Sequence, residues 1–432
     1  MTLLRKAVVV NSAEFCCLVF GVVQSIALSR GLGPDGVGQY TVILSALALG
    51  TQLFSLGYPL SFLYHSKRQP DRTRVYLMNT LFLMIVTGLL GGVIIAGLMR
   101  GFRGYFGVVA DWTLLVCSLY ILLGLIGVLA RNCLLVNIEA KRLGMMRIIS
   151  IGGSTTILAL LWQAKHLTVN TALLGCSAAV LLRFLLGWSW TRERLDFSVK
   201  PQILMIKQLG PMGLRLSAAD LMVSLLGQVN IMIIKLRIDD FASVGFYSRG
   251  HRIAMLLIAA GQAILPMLFS HWAGLRADKL SDHIEMVMRY ACSGAFLLIG
   301  FLVLLGKPLI LLFYGHQFLP AVAPMMILLP GTGLYLLGRI LIHALSSRGM
   351  PQLSTGMLVI NAGLCSLLSW FLVPYWGIKA AAIASTLGHA TMFVLLLWTV
   401  HKHHGVRPLR CFGLTWREVK KAAVLLKNPR HV

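Results

Sequence analysis

Charge is scarce in this chain, and acid is scarcest of all. Only 12% of the 432 residues are Asp, Glu, Lys or Arg, and 14 are acidic. A soluble globular protein carries about twice that charged fraction, so a water-facing surface of ordinary size is excluded. Long polar stretches are lacking too. Every connection between apolar runs is short, which leaves no room for a catalytic domain outside a membrane. No glycine-rich nucleotide-binding loop occurs, so direct use of ATP is excluded, and neither a nucleophile elbow nor a zinc motif is found. The eight cysteines (Cys16, Cys17, Cys117, Cys133, Cys176, Cys292, Cys365, Cys411) lie in or beside apolar runs without metal-ligand spacing. They read as small buried apolar residues; no disulfide frame, metal site or cofactor is expected. A cleavable leader is not expected either, because the first apolar run is too long and no polar domain follows it.

What the chain has is hydrocarbon. Hydrophobic residues make up 57% and the mean hydropathy is +0.80, values of an all-α integral membrane protein. About twelve runs approach the roughly 20 residues that cross a bilayer. They are expected at 7–28, 40–63, 76–99, 112–136, 146–163 and 170–190, then at 212–234, 243–270, 289–305, 322–345, 354–373 and 378–400. Gly152-Gly153 and Thr155-Thr156 dilute the fifth.

A net charge of +25 on a soluble protein would suggest nucleic acid. Here its distribution decides otherwise. Roughly two thirds of the 39 Lys and Arg fall on the side of the N-terminus and roughly a fifth on the opposite side. Positive charge marks the cytoplasmic side, so both termini are expected in the cytoplasm, with loops at Lys67–Arg74, Lys141–Arg147 and 191–211 beside them. The apolar, lysine-flanked stretch 201–210 is expected along the interface. The tail, 401–432, opens on His401, Lys402, His403 and His404, read as a basic juxtamembrane cluster rather than a metal site. Trp416, Val419, Ala423 and Leu426 then fall on one face of a short interfacial helix attracted to anionic lipid.

The chain repeats itself. Val37-Gly38-Gln39-Tyr40 returns as Val244-Gly245-Phe246-Tyr247, Ser12-Ala13-Glu14 as Ser217-Ala218-Ala219-Asp220, and Arg131 as Arg339, all at an offset of roughly 207 residues. Three matching offsets between corresponding spans indicate two homologous six-helix bundles in pseudo-symmetry. The organisation read from this is an N-terminal lobe over 1–195, a C-terminal lobe over 196–400, and the tail. An even number of spans per half makes the repeat parallel, the arrangement in which a transporter's substrate site lies between halves that rock against each other.

Polar residues form stripes inside the spans. Asn11, Glu14, Gly21, Gln24 and Ser25 share one face of the first; Ser217, Asp220, Ser224 and Gln228 share one of the seventh; Thr332, Tyr335, Arg339, His343 and Ser346 share one of the tenth. Each central Arg or Asp costs roughly 2.5–3.5 kcal/mol to insert, so these faces line a bundle interior or a wet cavity. Arg131, Arg183, Arg215, Arg249, Arg252 and Arg339 stand against Glu14 and Asp220. Pairing for packing, or snorkelling from span ends, is the structural alternative for any one of them. The cationic surplus favours an anionic, phosphoryl-bearing substrate, since guanidinium holds phosphate through paired charged hydrogen bonds. The residues expected in a substrate cavity are Arg131, Arg249, Arg252, Arg339, Gln24 and Gln228; Glu14 and Asp220 are expected to couple an ion.

The run Ala27-Leu28-Ser29-Arg30-Gly31-Leu32-Gly33-Pro34 through Gly36-Val37-Gly38-Gln39-Tyr40, with Leu209-Gly210-Pro211, Arg339-Ile340-Leu341, Arg348-Gly349 and Gly377-Ile378-Lys379-Ala380-Ala381, resembles the polysaccharide exporter and oligosaccharide flippase family. That family lies within the multidrug/oligosaccharidyl-lipid/polysaccharide exporter superfamily. The resemblance covers all twelve spans but not the tail. It implies a V-shaped pair of bundles in the bacterial inner membrane. It also implies, as substrate, an undecaprenyl-pyrophosphate-linked oligosaccharide repeat of O-antigen, capsule or exopolysaccharide, moved between leaflets without enzymatic chemistry. The implied partners are membrane lipids, a polysaccharide polymerase and chain-length machinery, and no nucleic acid. The alternative is a cation-coupled multidrug exporter of the related extrusion family, which would want an anionic cavity. A membrane polymerase or ligase would want a sizeable outer loop, and the sequence has none.

Overall fold

The computed structural model describes residues 3–413 except 138, 196–197, 199–201 and 263–264; the expected interfacial helix around Trp416 lies outside the described residues. The described chain is helical, without strands. The helices in order are α1 Leu3–Ser55, α2 Tyr58–Arg68, α3 Thr73–Gly101, α4 Arg103–Phe106, α5 Asp111–Val136, α6 Ala140–Gln163, α7 Val169–Thr191, α8 Ile203–Ile238, α9 Phe241–Ala254, α10 Leu256–Gln262, α11 Leu265–Gly274, α12 Ala277–Tyr314, α13 Val322–Ser347 and α14 Pro351–His404. Among the described residues nine helices are long and apolar enough to cross a membrane.

Nine helices accommodate about twelve crossings for a physical reason. At 1.5 Å per residue, the 53 residues of α1 and the 54 of α14 each extend about 80 Å, against a hydrocarbon core of about 30 Å. Each is two crossings joined at a break. In α1 the break is Gly33, whose φ of 68° is open to glycine at little cost, followed by Pro34, which has no N–H to donate. In α14 it is Gly377 at φ 59°. The eighth expected span, 243–270, is divided among α9, α10 and α11. The fifth is a continuous α6 despite its glycines and threonines. Thr155 and Thr156 return their hydroxyls to the carbonyls of Ile151 and Gly152 at 2.8 and 3.0 Å, and Gly152 gives room to Phe20 of α1. The stretch expected along the interface begins α8, which runs unbroken from Ile203 through Pro211.

The chain divides into two compact units. One comprises Met1–Arg249 with Ile310–Ala321 and Ser366–Ala381; the other comprises Gly250–Leu309, Val322–Cys365 and Ala382–Val432. In the first unit α1 packs on α6, α3 on α5, and α7 on both α5 and α6, with α8 against α1 and α2. Side chains such as Val93 and Leu115 remain exposed, as a hydrocarbon-facing surface requires. α7 starts on a capping box of Thr168 and Thr171. α9 starts on Asp240, whose carboxylate accepts from the amides of Ala242 and Ser243 at 3.2 and 2.8 Å. Burial opposes ionisation of Asp240, but the bonds from Ser243 and Ala242 and the nearby Lys235 outweigh it and hold the carboxyl below its usual range.

The two motifs read from the sequence as a repeat approach each other reciprocally. A Cβ on Gly38 would collide with the Phe241 carbonyl oxygen, and one on Gly245 with that of Pro34. Pro34 precedes Gly38 by one helical turn, as Phe241 precedes Gly245. The two copies of the motif therefore interlock, each glycine admitting the other copy's backbone.

In the second unit α13 packs on α10 and α11. The end of the described chain folds back after Gly405. The Arg407 amide donates to Glu285 of α12 at 2.8 Å, Arg289 donates to the Arg410 carbonyl at 2.9 Å, and Cys411 is buried.

Candidate functional site

The first unit gathers charged side chains from five helices around Arg183. Glu14 of α1 and Arg147 of α6 form an ion pair with both side chains partly exposed. Arg183 of α7 lies within electrostatic range of both Arg147 and Arg131, and Arg131 of α5 is also within range of Asp220 of α8. Three arginines thus stand against two carboxylates. Helical spacing explains how they come together. Glu14 and Arg147 sit on the touching faces of α1 and α6, and Arg131 and Arg183 lie near the same ends of the packed helices α5 and α7.

Farther along α1 a second polar group has formed. Arg249 is buried, 6% exposed, at the far end of α9 from Asp240. It donates through Nη1 to Ser25 Oγ at 3.0 Å, and its guanidinium lies 5.7 Å from the centre of the Tyr314 ring. Ser25 in turn donates to the Tyr314 hydroxyl at 3.2 Å. One turn beyond Ser25, Arg30 caps the end of α12 by donating to the carbonyls of Leu312 and Phe313 at 2.6 and 3.2 Å. Gln228 accepts from Ser45 Oγ at 2.7 Å, and Gln24 is half-buried on α1.

The second unit holds its own polar set. Arg252 neighbours His251, and Arg339 neighbours His343 one turn away on α13. His389 of α14 shares a 3.1 Å hydrogen bond with Asn361, and its ring lies tilted with its centre 4.8 Å from that of Tyr335.

Of the residues expected from the sequence, Glu14, Arg131 and Asp220 are thus brought into one cluster, while Arg249 joins a separate one with Ser25. Arg252 and Arg339 belong to the other unit. Sequence reasoning missed Arg147, which follows Lys141 and Arg142 so closely that it reads as one more loop cation. A helix start assigned at Ala140 instead of 146 would have placed it two turns inside a span, facing the Glu14 stripe. His251 and His389 were missed for lack of a stripe around them.

Structural likeness follows this architecture. A multidrug resistance transporter of the MATE family and MOP superfamily, in its inward-facing conformation, superposes with a TM-score of 0.76 at 14% identity, covering 92% of this chain and 98% of the other. The lipid II flippase MurJ, in an inward closed conformation, gives 0.76 at 13% identity, covering 94% and 89%. These are likenesses of fold, and the proteins are transporters rather than enzymes. An uncharacterized membrane protein of Methanocaldococcus jannaschii is 24% identical over 150 residues; the match takes in 35% of this chain and only 30% of that relative's length. Residues 3–272 match the family described as polysaccharide biosynthesis protein. With more than half of its length matched by that model, the chain belongs to the polysaccharide biosynthesis protein family.

Proposed function

We propose that this protein is a flippase that carries an undecaprenyl-pyrophosphate-linked oligosaccharide repeat across the bacterial inner membrane by alternating access between lobes 1–195 and 196–400, with both termini in the cytoplasm. The observation that carries the reading is the cluster around Arg183: three arginines on membrane-crossing helices, with two carboxylates. In hydrocarbon such a surplus is costly, and a pyrophosphate is a ligand whose charge matches it. In this reading Arg131, Arg147 and Arg183 take the pyrophosphate. Glu14 and Asp220 neutralise them when no substrate is bound, and release of either carboxylate opens it to a coupling ion. Arg252, Arg339, Gln24 and Gln228 line the path, and Arg249, expected there from the sequence, instead fastens the helices beside it. The O-antigen, capsule or exopolysaccharide repeat sets the sugar, and a polymerase with its chain-length machinery consumes the product.

The test is reconstitution. Proteoliposomes containing the protein are expected to move a fluorescent polyprenyl-pyrophosphate oligosaccharide between leaflets, and Arg131→Ala with Arg183→Ala is expected to stop this while leaving the protein folded. In the host, deletion is expected to accumulate the lipid-linked repeat on the cytoplasmic face, with drug sensitivity unchanged. Absence of flipping together with raised drug sensitivity would overturn the proposal in favour of a drug exporter.

A further inference from the structure

A second polar site, half open, lies in the first unit and is lined by none of the residues of the Arg183 cluster. It is a cavity of about 530 Å³ at the junction of α2, the turn Pro70–Arg72, the start of α3, the end of α5 and the turn Arg192–Arg194. Its charged lining is Lys67, Asp71, Arg74, Glu193 and Arg194. Arg194 is already committed: it donates to Glu139 and to the Cys133 carbonyl. Lys67 gives one of its three N–H groups to the Val136 carbonyl and keeps two. Arg74 and Glu193 are exposed. Ser66 lines the same space with its side chain 2% exposed, and its hydroxyl has no hydrogen-bond partner. A buried hydroxyl left unpaired beside a cavity points to a ligand that completes it.

The lining defines the chemistry of that ligand. Lys67, Arg74 and the Ser66 hydroxyl suit phosphoryl oxygens, whereas Asp71 and Glu193 suit an ammonium. A simple anion would meet two carboxylates and a simple cation would meet lysine and arginine; a zwitterion satisfies both. The cavity also shares Leu77 and Cys133 with an apolar crevice between α3, α5 and α7 that reaches Leu81, Leu129 and Trp188. Polar site and apolar floor meet as headgroup and tail regions meet in a bilayer. The crevice, at about 20 Å³, is too narrow for an acyl chain, so the part recognised is the headgroup.

We propose that this cavity binds the headgroup of a zwitterionic aminophospholipid, with the phosphate on Lys67, Arg74 and Ser66 and the primary ammonium on Asp71 and Glu193. A primary ammonium offers three donors to these carboxylates and a quaternary one offers none, so ethanolamine is preferred to choline. The inference does not rest on the transport reading, because binding is measured without translocation.

The test uses full-length protein in detergent, titrated with short-chain phosphatidylethanolamine, short-chain phosphatidylcholine and inorganic phosphate. Bound lipid is counted by native mass spectrometry and thermal unfolding is followed in parallel. Phosphatidylethanolamine is expected to bind and to raise the unfolding temperature, with phosphatidylcholine at least about tenfold weaker. Arg74→Ala and Glu193→Gln are each expected to weaken the ethanolamine lipid about tenfold. As both side chains are exposed, the lipid-free unfolding temperature is expected to stay at the wild-type value, which separates a lost site from a lost fold. Equal binding of the two lipids, displacement of phosphatidylethanolamine by inorganic phosphate at equal concentration, or wild-type affinity in both variants would overturn the proposal.

Discussion

α1 handles charge in opposite ways at two places along its length. Near Glu14, cations meet carboxylates, and the side chains of Arg147 and Glu14 remain 44% and 42% exposed. Near the Gly33 break, Arg249 is buried against Ser25 and Tyr314, and Arg30 holds the carbonyls that end α12. The first is charge that stays accessible: an exposed ion pair is worth at most about 1 kcal/mol, so it opens at little cost. The second is charge that fastens. It ties α1, α9 and the end of α12 through hydrogen bonds from charged donors, each worth about 1.5–3 kcal/mol, beside the interlocked glycines Gly38 and Gly245.

The sharpest way to break this contrast is Arg249→Ala. It removes the bond to Ser25, the contact with the Tyr314 ring and the packing of the aliphatic stem, and is expected to lower stability by about 2–3 kcal/mol. Thermal unfolding in detergent reads this directly, and a variant as stable as wild type would remove Arg249 from the fastening role. Gly245→Val attacks the same region from the backbone side. The new Cβ cannot approach the Pro34 carbonyl, so α9 must move away from α1, at a cost of about 1–3 kcal/mol. Gly38→Val should match it through Phe241, and unequal effects would mean that the interlock is not symmetric in energy.

At the other cluster the expected balance reverses. Glu14→Gln should change stability by less than about 1 kcal/mol, yet alter transport, because Arg147 loses its counter-charge while no substrate is bound. The exchange of both residues, Glu14→Arg with Arg147→Glu, should restore the pair but leave the carboxylate on α6. Recovery of flipping by the exchange would show that the pair matters as a pair; continued loss would tie function to the side of the cluster on which each charge stands.

Much of this was legible in the sequence. Run length and hydropathy gave the crossings, and one near-constant offset gave the repeat whose glycines interlock. The helical stripe placed Glu14 and Ser25 on one side of α1. What the sequence hid was non-local. Ser25 and Tyr314 lie 289 residues apart, and no periodicity links them. Arg147 was masked by the basic residues before it. The fold-back of Arg407 onto Glu285 was masked because a short polar segment after a last span has no pattern of its own. The cavity below Ser66 is likewise assembled from three separate segments, two of which read alone as patches of topological charge.

The last prediction tests a third kind of charge, compensated outside the spans. Glu139, between α5 and α6, binds Arg194 and, at 2.7 Å, Arg142. Burial pushes its carboxyl pKa up, but the two arginines outweigh burial and hold it below the usual carboxylate range. A carboxyl depressed in the folded state stabilises the fold above its unfolded pKa, and this contribution fades as pH falls through the folded value. Wild-type protein is therefore expected to lose a small part of its stability as pH drops through and below the ordinary carboxylate range. Glu139→Gln should flatten that portion of the profile and leave Arg194 bound to the Cys133 carbonyl. Its stability at neutral pH should fall by no more than about 1–2 kcal/mol, because Arg142 is half exposed and Arg194 keeps one partner. An unchanged acid limb in the variant would show that this pair, like the one at Glu14, is accessible rather than structural.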